Sequence, residues 1–310
     1  HLPTNEERTA VCCLSSVNLE HFDEWKDTPM IRDLIRFLDN VLQFFIENAG
    51  DEISKARYSA QQERSLGLGA MGWHSFLHRN RIPFESEKAQ EWNRNIFKHI
   101  KDEAVAETQQ LAIEKGECPD MEGTGRRNSH LLAIAPNANS SIIASTSPSI
   151  EPSKANAYTH RTRAGSHLVK NPYLEEELNK VDKNDAKTWT SIITNSGSVQ
   201  HLKFLSDEIK EIFKTAIEIN QLEIVQQAAD RQEYLCQGQS LNVFLASGAK
   251  RGDLHKIHYN AWKLGCKGLY YLRTESTNKA ENVSVKVVRD ALKDYETQAM
   301  TEAECIACQG

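Results

Sequence analysis

Over residues 30–49 the apolar positions Ile31, Leu34, Ile35, Leu38, Val41, Leu42, Phe45 and Ile46 recur every three or four residues. That spacing lays one stripe along a helix, and Gly50 behind it predicts the stop. Residues 84–114 predict a second long helix, with Ser86 and Glu87 as capping material and Gly116 past its end. Residues 174–181, 206–229 and 254–264 follow the same period, the second carried by Ile209, Ile212, Phe213, Ile217, Ile219, Leu222 and Val225. Between these lie short apolar segments. Residues 11–19 alternate and predict a buried strand, and 240–245 and 268–272 predict two more. Helix and strand alternating along the chain predict an α/β fold with a largely parallel sheet or barrel.

Two stretches break the pattern. Gly67, Gly69 and Gly72 have dinucleotide-binding spacing, but a polar run, Gln61, Gln62, Glu63 and Arg64, leads into them rather than a hydrophobic strand. A Gly-rich strand packed closely on neighbouring backbone, then a helix from near Trp73, is the preferred expectation. Residues 135–152 are small and hydroxylated, bounded by Pro136 and Pro152, with Glu151 as the sole charge. Short side chains let backbone N–H groups approach an anion, and Asn137, Asn139, Ser140 and Ser141 add donors at the start of a helical turn. An ordinary Ser/Asn-rich surface loop is the alternative.

Composition narrows the function. The 310 residues carry 39% apolar and 26% charged residues and a net charge of −6, enough for a sizeable core in one large domain or two smaller ones. No dense basic run with interleaved aromatics argues for nucleic acid, no apolar run reaches a membrane span, and the first residues are not a signal peptide, so a cytoplasmic location is expected. The chain starts at His1 rather than Met, which suggests a fragment, a processed product or the tail half of something longer. Seven cysteines, Cys12, Cys13, Cys118, Cys236, Cys266, Cys305 and Cys308, do not form a secreted disulfide pattern. A cysteine on a strand is most often a small core residue. The pair Cys305-x-x-Cys308 reads as half a zinc site, a redox dithiol or chance; zinc needs two more ligands, and adjacent Cys12 and Cys13 are poorly spaced to chelate, so the redox reading leads.

Taken together, Cys-x-Leu-Ser-Ser-x-Asn-Leu near the start, Pro-Asn-Ala-Asn-Ser-Ser with Ser-Ile-Glu-Pro in the middle, Leu-Tyr-Tyr-Leu-Arg-Thr near the end and the Cys-x-x-Cys tail resemble the large (alpha) subunit of class I ribonucleoside-diphosphate reductase, in the family's order over the whole chain. The resemblance implies the C-terminal half of a ten-stranded α/β barrel over residues 1–297 and a flexible redox tail over 298–310. It implies that Cys12 is half of the redox disulfide formed as the ribose 2′-carbon is reduced. Asn137, Ala138, Asn139 and Ser140 would hold the substrate diphosphate. Tyr271 would receive a radical and Tyr270 hand it on, and Cys305 and Cys308 would re-reduce the active-site disulfide. Implied partners are the N-terminal part of the large subunit, a small (beta) subunit carrying a di-metal radical cofactor, thioredoxin or glutaredoxin, and a ribonucleoside diphosphate. No cofactor and no metal are expected in this chain. The family's Asn-x-Cys-x-Glu finger motif has no counterpart here, so the chain alone is expected to be inactive. A non-catalytic binding or thiol–disulfide redox protein that keeps the fold is the alternative.

Overall fold

The computed structural model describes residues 2, 4–162 and 165–274. The described chain divides into two compact units, one of residues up to 152 with 220–245 and 249–273, the other of residues 153–219 with 246–248.

The first unit opens with β1 (Cys13–Asn18), a short helix α1 (Phe22–Trp25), the long α2 (Met30–Asn48) and α3 (Ser54–Glu63). α2 buries Ile31, Ile35, Leu38, Leu42 and Ile46 of the stripe its spacing predicts, with Leu34 and Phe45 partly buried and Val41 exposed at the edge. Then come β2 (Leu66–Met71), α4 (Trp73–Arg79) and the long α5 (Glu87–Lys115), whose N-cap Ser86 accepts from the Ala89 N–H at 3.2 Å. The prediction of a helix from residue 84 is corrected by one turn at this end, because Ser86, with extended backbone, is where the capping bond forms. A short α6 (Ser140–Ile143) follows in the small-residue loop.

β1 and β2 pair in parallel, Cys13 opposite Leu66 through Asn18 opposite Met71. β2 continues the ladder to residues 131–134 through Leu68 N–H to Leu131 O at 2.8 Å and Ala133 N–H to Leu68 O at 3.1 Å. Ile134 then bridges Gln239, again in parallel. Each step between neighbouring segments is made by helices, as parallel connections require. The glycines lie within this ladder, as expected from the sequence: a Cβ on Gly69 would sit 2.4 Å from the Ala133 carbonyl oxygen. Gly72 ends β2 with φ +81° and starts α4, a backbone conformation that side-chain-bearing residues seldom adopt.

A buried charge centre fixes the outer layer. Asp39 of α2, fully buried, accepts from Arg64 Nε at 2.9 Å, Arg127 Nε at 3.0 Å and Asn128 Nδ2 at 3.0 Å. Burial alone would raise its pKa, but Arg64 and Arg127 outweigh that and hold the carboxyl below its usual range.

The second unit contains an antiparallel hairpin, β3 (Ala157–Thr162) and β4 (Gly165–Lys170), with His160 opposite His167. Around it lie α7 (Pro172–Lys180), α8 (Ala186–Thr194) and α9 (Asp207–Ile212). Its core is formed by Leu174, Leu178, Trp189, Ile192, Ile212 and Phe213 with their neighbours. α8 has no counterpart in the sequence expectation, although Asp185 caps it through the Thr188 N–H at 2.7 Å.

The chain then returns to the first unit with α10 (Gln221–Gln232), β5 (Val243–Leu245), α11 (Arg251–Lys263) and β6 (Leu272–Thr274). The single helix expected over 206–229 is thus corrected to two, α9 and α10. Glu218 accepts from the Thr215 N–H at 2.7 Å and Thr215 Oγ1 at 2.9 Å, which closes a turn. Asn220 then caps the new helix through the Leu222 N–H at 3.1 Å. The apolar period ran across the break because both helices bury one face.

Candidate active site

β1 ends the expectation of a uniformly buried strand. Its Leu14 is 56% exposed, because it lines a cleft rather than the core. This cleft, of about 420 Å³, is bounded by Leu14, Ser15, Ser16, Met71, Ala135, Asn137 and Ser140. β1 and β2 supply one wall, and the small-residue loop supplies the other. Two of the four predicted substrate-loop residues, Asn137 and Ser140, line it; Ala138 and Asn139 are their exposed neighbours in the same turn.

The loop is held by bonds to the strands and to α4. Ser16 Oγ donates to Asn137 Oδ1 at 3.2 Å, and Asn137 has φ +55°, which asparagine tolerates better than most residues. Ser75 and Ser147 exchange bonds, each backbone N–H donating to the other's hydroxyl, at 3.0 and 2.9 Å. Thr146 Oγ1 donates to the Glu20 carboxylate, and the Gly72 N–H donates to Ser147 O at 2.8 Å. At the cleft, the Ser141 N–H bonds Asn137 O at 3.0 Å, which turns the loop into α6. Among the described residues, the preceding N–H groups of Ala138, Asn139 and Ser140 donate to no protein acceptor. Consecutive free N–H groups at the start of a helical turn attract an anion.

Cys12 stands immediately before β1. Burial raises its pKa, while the hydrogen bond from Gln237 and the nearby Ser65 hydroxyl lower it and Glu63 adds to the rise. Cys13 is likewise raised by burial.

Tyr270 and Tyr271 lie together on the segment leading into β6, with ring centroids 4.0 Å apart and planes at 48°. Both rings are about half exposed. The neighbouring Tyr271 phenol, more than burial, raises the Tyr270 pKa. The Arg273 guanidinium stands 4.8 Å from the Tyr271 ring centroid. The backbone here is set by Asn242, whose Oδ1 accepts the Tyr271 N–H at 3.0 Å while its Nδ2 donates to buried Glu151 at 2.6 Å. Glu151 is the last residue but one of the small-residue stretch, so one buried side-chain bridge joins that stretch to the tyrosine pair.

A family model described as "Ribonucleotide reductase, barrel domain" matches residues 1–124 and 119–272. The chain belongs to the ribonucleotide reductase barrel-domain family. Its parallel ladder is accordingly part of a reductase barrel. A protein of Frog virus 3 (isolate Goorha) described as a ribonucleoside-diphosphate reductase large subunit is 50% identical over all of this chain and 54% of its own length. The large subunit of Invertebrate iridescent virus 6 is 48% identical over 91% of this chain and 30% of its own. Among solved structures, the Actinobacillus ureae class Id ribonucleotide reductase alpha subunit superposes with a TM-score of 0.84 at 44% identity, covering 89% of this chain and 52% of that one. The chain therefore spans about half the length, or less, of these reductase subunits.

In this reductase barrel the sequence singled out the loop, Cys12 and the tyrosines, and passed over the residues that brace them. Gln237, Ser65 and Asn242 were missed. The signal for two of them was present in Cys-Gln-Gly-Gln-Ser-Leu-Asn over 236–242, where amides recur leading into the strand expected from residue 240. Cys305 and Cys308 lie outside the described residues. Among the described residues no three His, Cys, Asp or Glu side chains converge on a metal position, and no helix is long and apolar enough to cross a membrane.

Proposed function

We propose that this chain is the part of a ribonucleoside-diphosphate reductase large subunit that holds substrate phosphate, delivers reducing equivalents and receives the radical. The observation that carries the reading is the cleft beside β1, with free N–H groups of residues 138–140 at one rim and Ser15 and Ser16 on its wall, in a chain of this family.

On this reading the diphosphate of a ribonucleoside diphosphate lies against Asn137, Ala138, Asn139 and Ser140. Backbone donors suit it because they hold negative charge without the reorganisation that flexible cationic side chains need. Cys12 gives up its thiol proton and one electron toward a disulfide, its partner cysteine giving the same, as the ribose 2′-hydroxyl leaves as water. The cysteine that completes this disulfide, and the one that starts the radical reaction, belong to the rest of the large subunit. Tyr271 takes the radical from a small subunit, which carries the di-metal radical cofactor, and Tyr270 passes it inward. Each transfer moves a proton with the electron, which favours two phenols within hydrogen-bond reach; the Tyr270 and Tyr271 rings, with centroids 4.0 Å apart, support that role. Cys305 and Cys308, on a tail over 298–310, return the disulfide to thiols and are themselves reduced by thioredoxin or glutaredoxin. Residues 1–297 are the proposed extent of the barrel portion, and a cytoplasmic location fits a thiol chemistry that needs a reducing compartment.

The test is Ser140→Pro in the assembled reductase. Ser140 is the first residue of α6, and proline there removes the N–H and also disfavours the αR backbone of Asn139 before it. Losing one hydrogen bond to a charged group raises the diphosphate KM by roughly tenfold or more, whereas Ser140→Ala keeps the donor and changes it little. An unchanged KM in the proline variant would return the loop to an ordinary Ser/Asn-rich turn.

A further inference from the structure

The sulfur of Cys12 is turned toward polar groups of two other segments. Gln237 Nε2 donates to Cys12 Sγ at 3.4 Å and to Leu66 O at 3.0 Å. The bond to a carbonyl fixes which end of the carboxamide faces the sulfur, since only the NH₂ group can donate. Gln237 is 8% exposed, and its own backbone is tied at both ends: its N–H donates to Leu132 O at 3.1 Å, and its O accepts from Gln232 Nε2 at 3.0 Å. Ser65 Oγ, fully buried and without a partner at ordinary hydrogen-bond geometry, lies beside the same sulfur. A third wall is Gly67, where a Cβ would come within 3.0 Å of Cys12 Sγ.

A thiol can donate its hydrogen, whereas a thiolate can only accept. The amide end fixed against Cys12 can only donate, so it favours the thiolate. We propose that Gln237, assisted by Ser65, is a positioning residue that receives Cys12 as the thiolate and thereby sets when this cysteine can act in thiol–disulfide exchange. The proposal rests on reading Cys12 as a redox cysteine, but the contacts that carry it stand apart from that reading. In the exchange step a tail thiolate attacks the other sulfur of the disulfide that holds Cys12, a new S–S bond forms, and Cys12 leaves as the thiolate with the electron pair of the broken bond. The charged and titrating groups around the sulfur are few. Glu63 of α3 opposes ionisation, and the adjacent Cys13 thiol is coupled to Cys12 and feels Arg64. Gln237 and Ser65 counter only part of the rise that burial and Glu63 impose.

The test uses the 310-residue chain and needs no turnover. Iodoacetamide alkylates the thiolate, forming an S–C bond as iodide leaves, so the rate at Cys12 follows its ionised fraction. That rate is read against pH by peptide mass spectrometry. Gln237→Leu is expected to move the alkylation midpoint up by about one pH unit or more. Gln237→Glu, the same shape with an oxygen facing the sulfur, moves it further, and Ser65→Ala moves it less. Cys118, 2% exposed, reports folding in the same experiment, since it reacts only when the barrel opens. Should Gln237→Leu expose Cys118, the isosteric Gln237→Glu carries the same comparison. A midpoint unmoved in both Gln237 variants with Cys118 protected overturns the proposal and leaves the proposed function standing. Conversely, a Cys12→Ser reductase that still makes product would overturn the proposed function and leave the alkylation profile intact.

Discussion

The two glycines of β2 make the most quantitative prediction, because they point the same way along one strand and meet different neighbours. A Cβ on Gly69 would stand 2.4 Å from the Ala133 carbonyl oxygen and 3.3 Å from Ser16 Oγ. Contacts under 3.0 Å are essentially never seen, so the strands must part by at least about 0.6 Å (3.0 less 2.4). The parting falls on the Leu68 N–H to Leu131 O bond of 2.8 Å and the Ala133 N–H to Leu68 O bond of 3.1 Å. Overpacking of this kind costs about 1–3 kcal/mol. A Cβ on Gly67 meets the Leu14 Cδ2 at 2.4 Å instead, the far end of a side chain that is 56% exposed and free to turn away, and then Cys12 Sγ at 3.0 Å and Ala133 Cβ at 3.3 Å, which need to give by only a few tenths of an ångström, so its cost lies at the low end, about 1 kcal/mol. Both substitutions gain about 0.4–1 kcal/mol from a stiffer unfolded chain, which cancels in the comparison. Gly69→Ala is therefore expected to be less stable than Gly67→Ala by about 1–2 kcal/mol, read as the difference in urea midpoint at a common slope. Equal midpoints, or a larger loss at Gly67, would refute the close approach of β2 to residues 131–134.

Asp39→Ala strands the buried Arg64 and Arg127 guanidinium groups and is expected to cost about 3–5 kcal/mol in urea unfolding; a loss under about 1 kcal/mol would show that the arginines find other partners. Because the folded Asp39 pKa is depressed, its stabilisation is present above the ordinary aspartate value of 3.8 and is lost as pH falls through the lower folded value. An acid-unfolding curve that is unchanged in Asp39→Ala would contradict this sign. In the assembled reductase, Tyr270→Phe and Tyr271→Phe are each expected to abolish turnover. Nucleotide affinity should stay nearly unchanged, since one lost hydroxyl removes a hydrogen bond of about 0.5–1.5 kcal/mol. Near-normal turnover in either variant would make the pair structural.

Much of this was legible in the sequence because the relevant signal was local. The period of α2 and the caps of α5 each express a constraint between residues close in sequence, and the glycines of β2 mark a close approach by their own composition although the segment that approaches is distant. The break between α9 and α10 was hidden because an apolar period records which face is buried and not whether the backbone is continuous. α8 was missed because its cap, Asp185, stands in a polar run that also suits a loop. Within the site, small hydroxylated residues marked the cleft wall from sequence alone. What the sequence could not show was which distant side chain braces each functional one: Gln237 is 225 residues from Cys12, and Asn242 is 91 from Glu151. Such pairings are set by the order of strands in the ladder, and a buried amide looks the same in sequence as an exposed one.

On the proposed function, Cys12 supplies reducing equivalents to the ribose in the assembled reductase. The most direct measurement is a single turnover by pre-reduced enzyme, with small subunit, effector and ribonucleoside diphosphate but no external reductant, quantifying the deoxyribonucleotide formed. The wild-type enzyme is expected to form product, and Cys12→Ser none. Deoxyribonucleotide formed by Cys12→Ser at the wild-type yield would contradict the claim and leave Cys12 as a small residue packed against Gly67 and Gln237.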